Sequence, residues 1–570
     1  MLSALDQLIA DGLDAVIGDG KMFQLGTIES RGVAMPVISN APANMAQYFA
    51  FFCATHGDAT FIVDGDERLS FTETYAHAAK VAQALVSGHG VKTGDRIGIA
   101  MRNAPAWIIT YMGVLMAGGV ATLLNGWWQS NELAAGVRDA GCTIVIADGQ
   151  RADRLAACDE PHGAALVTLD IAQPIAQALA PLTSLGATGD VALPDLSGDD
   201  VATILFTSGS TGQSKGAWST HRALVQGTFN YIVQTATIMH VLTSTGNAPE
   251  GQPSTLLNVP LFHVTGEVPV LLQSFAIGRK LVMMAKWDAE EAMRLIEHEQ
   301  VTYFVGVPLM SYEMLIHPNR DKYDLSSCKS FAAGGAPRPR GHVTRIADGM
   351  GGGQPLLGYG LTETNGIGCG NINDNYIAKP DSTGPASAPL VDLAIIDDAG
   401  AVLPQGEVGE VSIRSIANFT GYWNNPEATA SAYTADGRFR SGDLGYLDAD
   451  GYLFIVDRKK DIIIRGGENI SCPEVETAIY AHPSVAECSV IGLPDERLGE
   501  IVGAVVHYKP DEAVAEADLR AFLASTLAAY KVPAVIWTCD DALPVLGTGK
   551  LDRVGLRKSY QARYAAETAA

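Results

Sequence analysis

A loop rich in glycine and hydroxyl side chains directly follows an apolar run of the sequence. Residues 207–216, Thr-Ser-Gly-Ser-Thr-Gly-Gln-Ser-Lys-Gly, place three glycines, five hydroxyls and Lys215 after the apolar residues 201–206. Glycine permits close approach of the backbone, and amides, hydroxyls and an ammonium group all bind phosphate oxygens. A flexible linker would have a similar composition, but linkers rarely follow a buried strand. We therefore predict a phosphate-binding loop, and not a P-loop ATPase, because the Walker A spacing is absent.

Seven further short motifs follow this loop along the chain. Each one alone carries little information, whereas all seven in a fixed order make coincidence implausible. They are Pro260-Leu-Phe-His-Val-Thr-Gly266, Gly334-Gly-Ala-Pro337, Gly358-Tyr-Gly-Leu-Thr-Glu-Thr364, Ser441-Gly-Asp443, Asp457-Arg458, Gly466-Gly-Glu-Asn469 and Gly547-Thr-Gly-Lys550.

In these motifs the chain resembles the adenylate-forming superfamily of acyl-CoA synthetases, firefly luciferases and peptide-synthetase adenylation domains. The resemblance covers roughly residues 200 to 555. It implies an α/β fold with a large, multi-sheet N-terminal domain (1–459) and a small, mobile α+β C-terminal domain (460–570). The implied activity is that of an AMP-forming acid:CoA ligase, with ATP, a small-molecule carboxylic acid and coenzyme A as substrates and Mg²⁺ as cofactor.

The same resemblance implies the residues of the nucleotide site. The phosphate loop and Thr362 would contact the phosphates, and two glycine-rich segments would form the walls around adenine. Asp443 would accept the ribose hydroxyls, and Arg458 would contact the ribose or a phosphate. Glu363 would be the Mg²⁺ ligand, a hard oxygen for a hard cation. The expected ATP- and AMP-binding residues are Thr207, Ser208, Gly209, Ser210, Thr211, Gly212, Lys215, Gly334, Gly335, Ala336, Pro337, Gly358, Tyr359, Gly360, Thr362, Asp443 and Arg458.

The small domain would supply the residues that distinguish the two half-reactions. By resemblance, Lys550 reaches the acyl carboxylate and the α-phosphate during adenylation. The other two expected catalytic residues, Glu363 and His263, belong to the large domain. His263 would gate and position the acyl group, and we do not assign it as a general base. Gly466 and Gly467 would line the coenzyme A tunnel, and Lys460 would be the hinge about which the small domain rotates.

The acyl pocket is expected near Phe229, Val264, Gly306 and Gly366. These residues are apolar or small, and no charged group is evident that would pair with a second substrate charge. A medium- or long-chain fatty acid ranks first, and an aryl, arylalkanoic or alicyclic acid ranks second. As functions, a luciferase-like or carrier-protein-directed adenylating enzyme ranks below a CoA ligase for either kind of acid. A non-catalytic nucleotide-binding protein ranks last.

Elements that could position these residues are visible in the hydrophobic pattern. Apolar runs at 96–100, 143–147 and 201–206 alternate with amphipathic segments, which is typical of a parallel sheet flanked by helices. The uncharged residues 103–131 predict a buried helix, a turn and a short strand rather than a membrane span. In the tail, a helix is predicted over 474–480 behind a capping box of Ser471 and Glu474, strands over 485–491 and 501–508, and a helix over 516–527.

Composition and charge limit the class of protein. A formal net charge of -24 over 570 residues argues against nucleic-acid binding. Eight scattered cysteines without a C-x-x-C pair indicate neither a zinc site nor a disulfide framework, and a cytoplasmic location is expected. No transmembrane segment is predicted, while peripheral membrane contact and a homodimer are left open.

Overall fold

The computed structural model describes residues 3–184, 186, 191–207, 214–334, 338, 340–459, 461–465, 468–546 and 550–569. It is a mixed α/β structure with a large N-terminal part and a small C-terminal part, as predicted. All eight cysteines are free.

The strands are distributed over four sheets and one hairpin. In chain order they are β1 Leu25–Ser30, β2 Val33–Ile38, β3 Thr60–Asp64, β4 Glu67–Ser70, β5 Arg96–Ala100, β6 Val120–Leu123, β7 Ile144–Asp148, β8 Ala165–Leu169, β9 Val201–Thr207, β10 Lys215–Thr220, β11 Ser254–Leu257, β12 Lys280–Met283, β13 Tyr303–Gly306, β14 Ser330–Gly334, β15 Gln354–Gly360, β16 Gly368–Ile372, β17 Ser382–Gly384, β18 Asp392–Ile396, β19 Gly409–Arg414, β20 Gly421–Tyr422, β21 Phe439–Leu447, β22 Leu453–Arg458, β23 Ile463–Arg465, β24 Glu468–Ile470, β25 Val485–Asp495, β26 Gly499–Tyr508 and β27 Val535–Cys539.

The described helices range from single turns to one helix of 24 residues. They are α1 Ala4–Val16, α2 Met45–His56, α3 Phe71–Ser87, α4 Pro105–Met116, α5 Ser130–Ala140, α6 Gly149–Ala156, α7 Ile175–Ala178, α8 Ala180–Thr183, α9 His221–Ser244, α10 Gln273–Ile277, α11 Ala289–His298, α12 Pro308–Ile316, α13 Arg340–Gly349, α14 Asn373–Ala378, α15 Pro426–Ser431, α16 Cys472–Tyr480, α17 Glu516–Ala524 and α18 Arg553–Ala569. A π-helix covers Gly266–Leu272, and 3₁₀ turns cover Arg320–Lys322 and Thr362–Thr364.

Two large sheets carry the N-terminal part. The first has the strand order β20-β10-β9-β6-β5-β7-β8, in which β5 to β9 are parallel and β10 and β20 form an antiparallel edge. The second has the order β16-β15-β14-β13-β11-β12-β3-β4 and is parallel from β15 to β3. The three predicted apolar strands are β5, β7 and β9, with ends shifted by at most one residue.

Helices link the two large sheets through the main hydrophobic core. Helix α4 packs on β5 and β6 of the first sheet, and α3 packs on both α4 and β3 of the second. Trp107 and Tyr111 of α4 are fully buried in this core. The uncharged segment therefore forms a buried helix, a turn at Gly118 and the strand β6, as predicted. Among the described residues no helix is long and apolar enough to cross a membrane.

The two smaller sheets divide the rest of the chain. An antiparallel sheet of order β17-β22-β21-β19-β18 ends at Arg458, and the C-terminal part builds its own sheet, β24-β23-β26-β25, with β27 parallel to β26. Four bounds in this part differ from prediction, and two of them belong to strands: β25 continues to Asp495, beyond the predicted end at 491, and β26 begins at Gly499, before the predicted start at 501. Helix α16 begins at Cys472, because Ser471 is its N-cap and Pro473 occupies the first turn, where no amide donor is needed. Helix α17 ends at Ala524, three residues earlier than predicted.

Candidate active site

The glycines expected around adenine lie at the carboxyl ends of neighbouring parallel strands. Gly334, the last residue of β14, is paired with Gly358 of β15, and Gly360 ends the same strand. A Cβ added at Gly360 would lie 2.0 Å from the carbonyl oxygen of Gly366, so only glycine allows the chain to turn back there. Ligands of open α/β sheets gather at such strand ends.

Asp443 is held between two sheets by two side chains. Tyr359 of β15 donates a hydrogen bond to Oδ2 of Asp443 at 2.7 Å, and the Nε atom of Arg458 lies 3.2 Å from Oδ1. Arg458 faces Asp443 directly across the β21–β22 ladder. Burial and the charge of Asp443 raise the pKa of Tyr359 well above its ordinary value. The tyrosine hydroxyl is therefore a permanent donor, and it fixes the orientation of a carboxylate that is itself 5% exposed.

Glu363 lies in the 3₁₀ turn that Thr362 begins, and it is buried rather than exposed in a surface loop. The hydroxyl of Tyr422 donates to its Oε1 atom at 2.8 Å. The Nζ atom of Lys215 lies 5.1 Å above the ring of the same tyrosine. Burial raises the pKa of Glu363. A cation beside this carboxylate would offset the cost of its burial.

A cavity of about 480 Å³ joins these groups, with Lys215, Glu363, Tyr422 and Lys459 in its lining. The described residues contain no cluster of three or more acidic, histidine or cysteine side chains that could hold a metal alone. Mg²⁺ commonly takes one or two protein carboxylates and completes its shell with water and phosphate oxygens, so the single carboxylate of Glu363 fits this ion.

Lys550 of the C-terminal part comes to the same place. Burial around the ammonium group lowers the pKa of Lys550, the charge of Arg458 lowers it further and Asp443 opposes the change, even though the residue as a whole is exposed. Burial, aided by the charge of Lys550, lowers the pKa of His263 to about 3. The imidazole is therefore neutral near pH 7, and its Nε2 atom has no hydrogen-bond partner among the described residues.

The expected acyl-pocket residues are only partly brought together. Val264 and Gly366 are neighbours, since a Cβ added at Gly366 would lie 3.3 Å from Val264 and 3.5 Å from the hydroxyl of Tyr231. Gly366 has a φ of +80°, which favours glycine. Gly306 ends β13, next to the adenine-side strands, where a Cβ would lie 2.9 Å from the Met310 sulfur.

Phe229 does not join them. It lies on the other side of α9, where its ring packs edge-on against Phe23 and Tyr48 in the hydrophobic core. The residue of α9 that meets Gly366 is Tyr231, whose hydroxyl donates to the Gly366 carbonyl at 2.6 Å. Residues two apart on a helix point about 200° apart, so Phe229 and Tyr231 face different surroundings, and the place of Phe229 in an acyl pocket stays a prediction.

The ends of the phosphate loop are anchored in the first large sheet. Thr207 ends β9 and is paired with Lys215 at the start of β10. Several predicted site residues lie outside the described residues, and they are Ser208, Gly209, Ser210, Thr211, Gly212, Gly335, Ala336, Pro337, Lys460, Gly466 and Gly467.

Comparison with known proteins agrees with this geometry. The family model of AMP-binding enzymes matches residues 49–423, and that of their C-terminal domain matches residues 474–550. The chain thus has the fold of an adenylate-forming enzyme. It belongs to the AMP-binding enzyme family.

Relatives and solved structures of the family are close in length to this chain. A feruloyl-CoA synthase from Amycolatopsis is 34% identical over 505 residues, 88% of this chain and 96% of that protein. A long-chain-fatty-acid–CoA ligase from Bacillus subtilis is 32% identical over 535 residues, 87% of this chain and 91% of that protein. The crystal structure of ATP-bound MatB from Rhodopseudomonas palustris superposes with a TM-score of 0.80 at 29% identity, over 91% of this chain and 100% of that one.

Proposed function

We propose that this enzyme is an AMP-forming acid:CoA ligase whose preferred acid is an apolar monocarboxylate. The observation that supports the proposal is that Lys550, a lysine of the C-terminal part, lies within the electrostatic influence of Asp443 and Arg458, the two residues proposed to bind the nucleotide. A non-catalytic nucleotide-binding protein would instead bind AMP without any acid-dependent release of pyrophosphate.

The first half-reaction is an attack by the acyl carboxylate oxygen on the α-phosphorus of ATP, in which the bond to pyrophosphate breaks. Negative charge builds on the oxygens around phosphorus as this happens, and a preorganised cation there stabilises it. Lys550 supplies that positive charge. Lys215 lies in the same cavity as Glu363, at the end of the proposed phosphate loop. When bound at Glu363, Mg²⁺ would neutralise phosphate charge.

In the second half-reaction the coenzyme A thiol attacks the carbonyl carbon of the acyl-adenylate, and AMP leaves. His263 is neutral and has a very low basicity, so its part is to position the acyl group and not to accept the thiol proton. Gly466 and Gly467 are proposed for the pantetheine tunnel. We propose that the small domain rotates about Lys460 between the two steps, so that Lys550 leaves the site as those glycines enter it.

The proposed acid is supported by the apolar wall at Val264 and Gly366. The hydroxyl of Tyr231 is engaged by the Gly366 carbonyl, so it presents ring surface rather than a free polar group to this wall. A medium- or long-chain fatty acid is our first choice, and an aryl, arylalkanoic or alicyclic acid is the second. Both kinds are named among the relatives, as a fatty-acid ligase and a feruloyl-CoA synthase.

A panel of acids tests this proposal. Pyrophosphate and acyl-CoA formation are measured with saturated fatty acids of increasing length, with aryl and arylalkanoic acids and with a dicarboxylate. We expect turnover with apolar monocarboxylates and background rates with the dicarboxylate, with Lys550→Ala enzyme as the blank. A preference for the dicarboxylate would contradict the assignment of the pocket, and pyrophosphate release without any acid would contradict the ligase activity.

A further inference from the structure

Helix α18 begins three residues after Lys550, and only Leu551 and Asp552 lie between them. The amide of Leu546 donates to the carbonyl of Lys550 at 2.6 Å, and Val545 and Leu551 form an antiparallel bridge around the loop. Asp552 then caps the helix, since its side chain accepts from the amide of Gly555 at 2.9 Å. The position of α18 therefore dictates the position of the Lys550 backbone.

The first residue of α18 makes a two-point ion pair with a buried acid. Both terminal nitrogens of Arg553 donate to Glu476, at 2.5 Å and 2.6 Å. Glu476 belongs to α16 and is only 5% exposed, and its Oε1 atom also accepts from the amide of Val490. A bidentate arginine–carboxylate pair fixes direction as well as distance. Arg553 thus locks the start of α18 to the core of the small domain.

One turn later, α18 contacts the segment that joins the two parts of the chain. Arg557 donates to the Oδ1 atom of Asp461 at 2.8 Å. Asp461 comes directly after the proposed hinge residue, and its amide donates to the carbonyl of Arg458 at 2.8 Å. The same helix is therefore anchored at the hinge-adjacent aspartate and at the loop of Lys550.

We propose that Arg553 and Arg557 are positioning residues for Lys550, which make α18 a rigid strut between the hinge-adjacent Asp461 and the loop that carries the lysine. The inference rests on the proposed function, because it assumes that Lys550 serves adenylation. Neither arginine touches a substrate. Their effect on the reaction passes through the placement of the Lys550 ammonium, and misplacing a reacting group by about 1 Å can cost about 100-fold in rate.

The test compares Arg553→Gln and Arg557→Gln with a control on the same helix. Arg563 pairs with Glu567 at 2.7 Å in an exposed i,i+4 pair later in the same helix, so Arg563→Gln removes an equal charge without changing the ion pairs to Glu476 and Asp461. Adenylation is measured as acid-dependent pyrophosphate release, and the second step as thioester formation from supplied acyl-adenylate. We expect Arg553→Gln to lower kcat of adenylation by about 10- to 100-fold, with KM for ATP and the second step kept. Arg557→Gln should have a smaller effect in the same direction, because its partner Asp461 is more exposed than Glu476, at 18% against 7%.

A double-mutant cycle separates positioning from general damage to the domain. In a Lys550→Ala background, Arg553→Gln should cost nothing further, because residues that act through one another are not additive. A further loss in that background, an equal fall of both half-reactions, or a variant as active as Arg563→Gln would each overturn the proposal. If Arg553→Gln does not fold, Arg557→Gln is carried through the same cycle. Normal adenylation by Lys550→Ala alone would instead contradict the proposed role of Lys550, and so the two failures are distinguishable.

Discussion

The hydroxyl of Tyr359 donates a 2.7 Å hydrogen bond to Asp443, which joins a strand of the second large sheet to a strand of the antiparallel sheet. The two residues are 84 positions apart in sequence, and each lies in a motif of its own. Tyr359 occupies Oδ2 of Asp443, and Arg458 pairs with the other carboxylate oxygen, Oδ1. These contacts thereby fix the orientation of the carboxylate that we propose as the acceptor of the ribose hydroxyls.

Tyr359→Phe should weaken the binding of ATP more than it slows the chemistry. A hydrogen bond to a charged group contributes about 1.5–3 kcal/mol, so KM for ATP is expected to rise by about tenfold or more. Tyr446→Phe is the matched control, since Tyr446 lies in the same strand as Asp443 and stacks on Phe454. Steady-state kinetics with varied ATP checks this. An unchanged KM in Tyr359→Phe would remove the contact from nucleotide binding.

Lys550→Ala should lower adenylation by at least about 100-fold, the scale for losing one preorganised charge-stabilising donor. Thioester formation from supplied acyl-adenylate should be essentially kept. Because burial lowers the pKa of Lys550, the adenylation rate of the native enzyme should fall with rising pH earlier than an ordinary lysine would allow. A pH profile of pyrophosphate release measures this fall. Near-normal adenylation by the variant would exclude Lys550 from the first step.

Glu363→Gln keeps the shape of the side chain and its acceptor for Tyr422 but removes the negative charge. A neutral amide oxygen is a poorer ligand for Mg²⁺, so the concentrations of Mg²⁺ and of ATP needed for half-maximal rate should rise together. Titration of both at fixed acid measures this. A variant with the Mg²⁺ requirement of the native enzyme would count against Glu363 as the metal ligand.

The buried carboxyl group of Glu267 should make the free energy of unfolding depend on pH. Its carboxyl is fully buried and accepts from Tyr111 at 2.7 Å, and burial raises its pKa from 4.5 to about 8. The native state therefore holds a proton that the unfolded state has lost between these two pH values, and the free energy of unfolding should decrease as pH rises through this interval. Glu267→Gln removes the titration and keeps an acceptor for Tyr111. The difference in Tm, variant minus native, should grow from pH 5 to pH 8; a constant difference would contradict the raised pKa.

The sequence was sufficient to predict the parts of the site that are local in the chain. Strand β9 and Lys215, the turn of Glu363 and the cap of α16 each depend on a few neighbouring residues. Contacts between distant segments were not accessible: nothing near Glu363 indicates that Tyr422, 59 residues later, meets its carboxylate. The face of α9 that meets Gly366 was also unreadable, because the helix is buried on several sides and nothing in the sequence singles out Tyr231.

The order of the two half-reactions tests the central claim most directly. Enzyme in excess over a preferred acid is mixed with ATP and Mg²⁺ without coenzyme A, and pyrophosphate, AMP and acyl-adenylate are followed before and after coenzyme A is added. We predict one pyrophosphate per acid and bound acyl-adenylate in the first phase, then AMP and acyl-CoA together in the second. Pyrophosphate release only after the addition of coenzyme A, or acyl-CoA formation with ADP and phosphate as the products, would contradict an acid:CoA ligase that works through an acyl-adenylate.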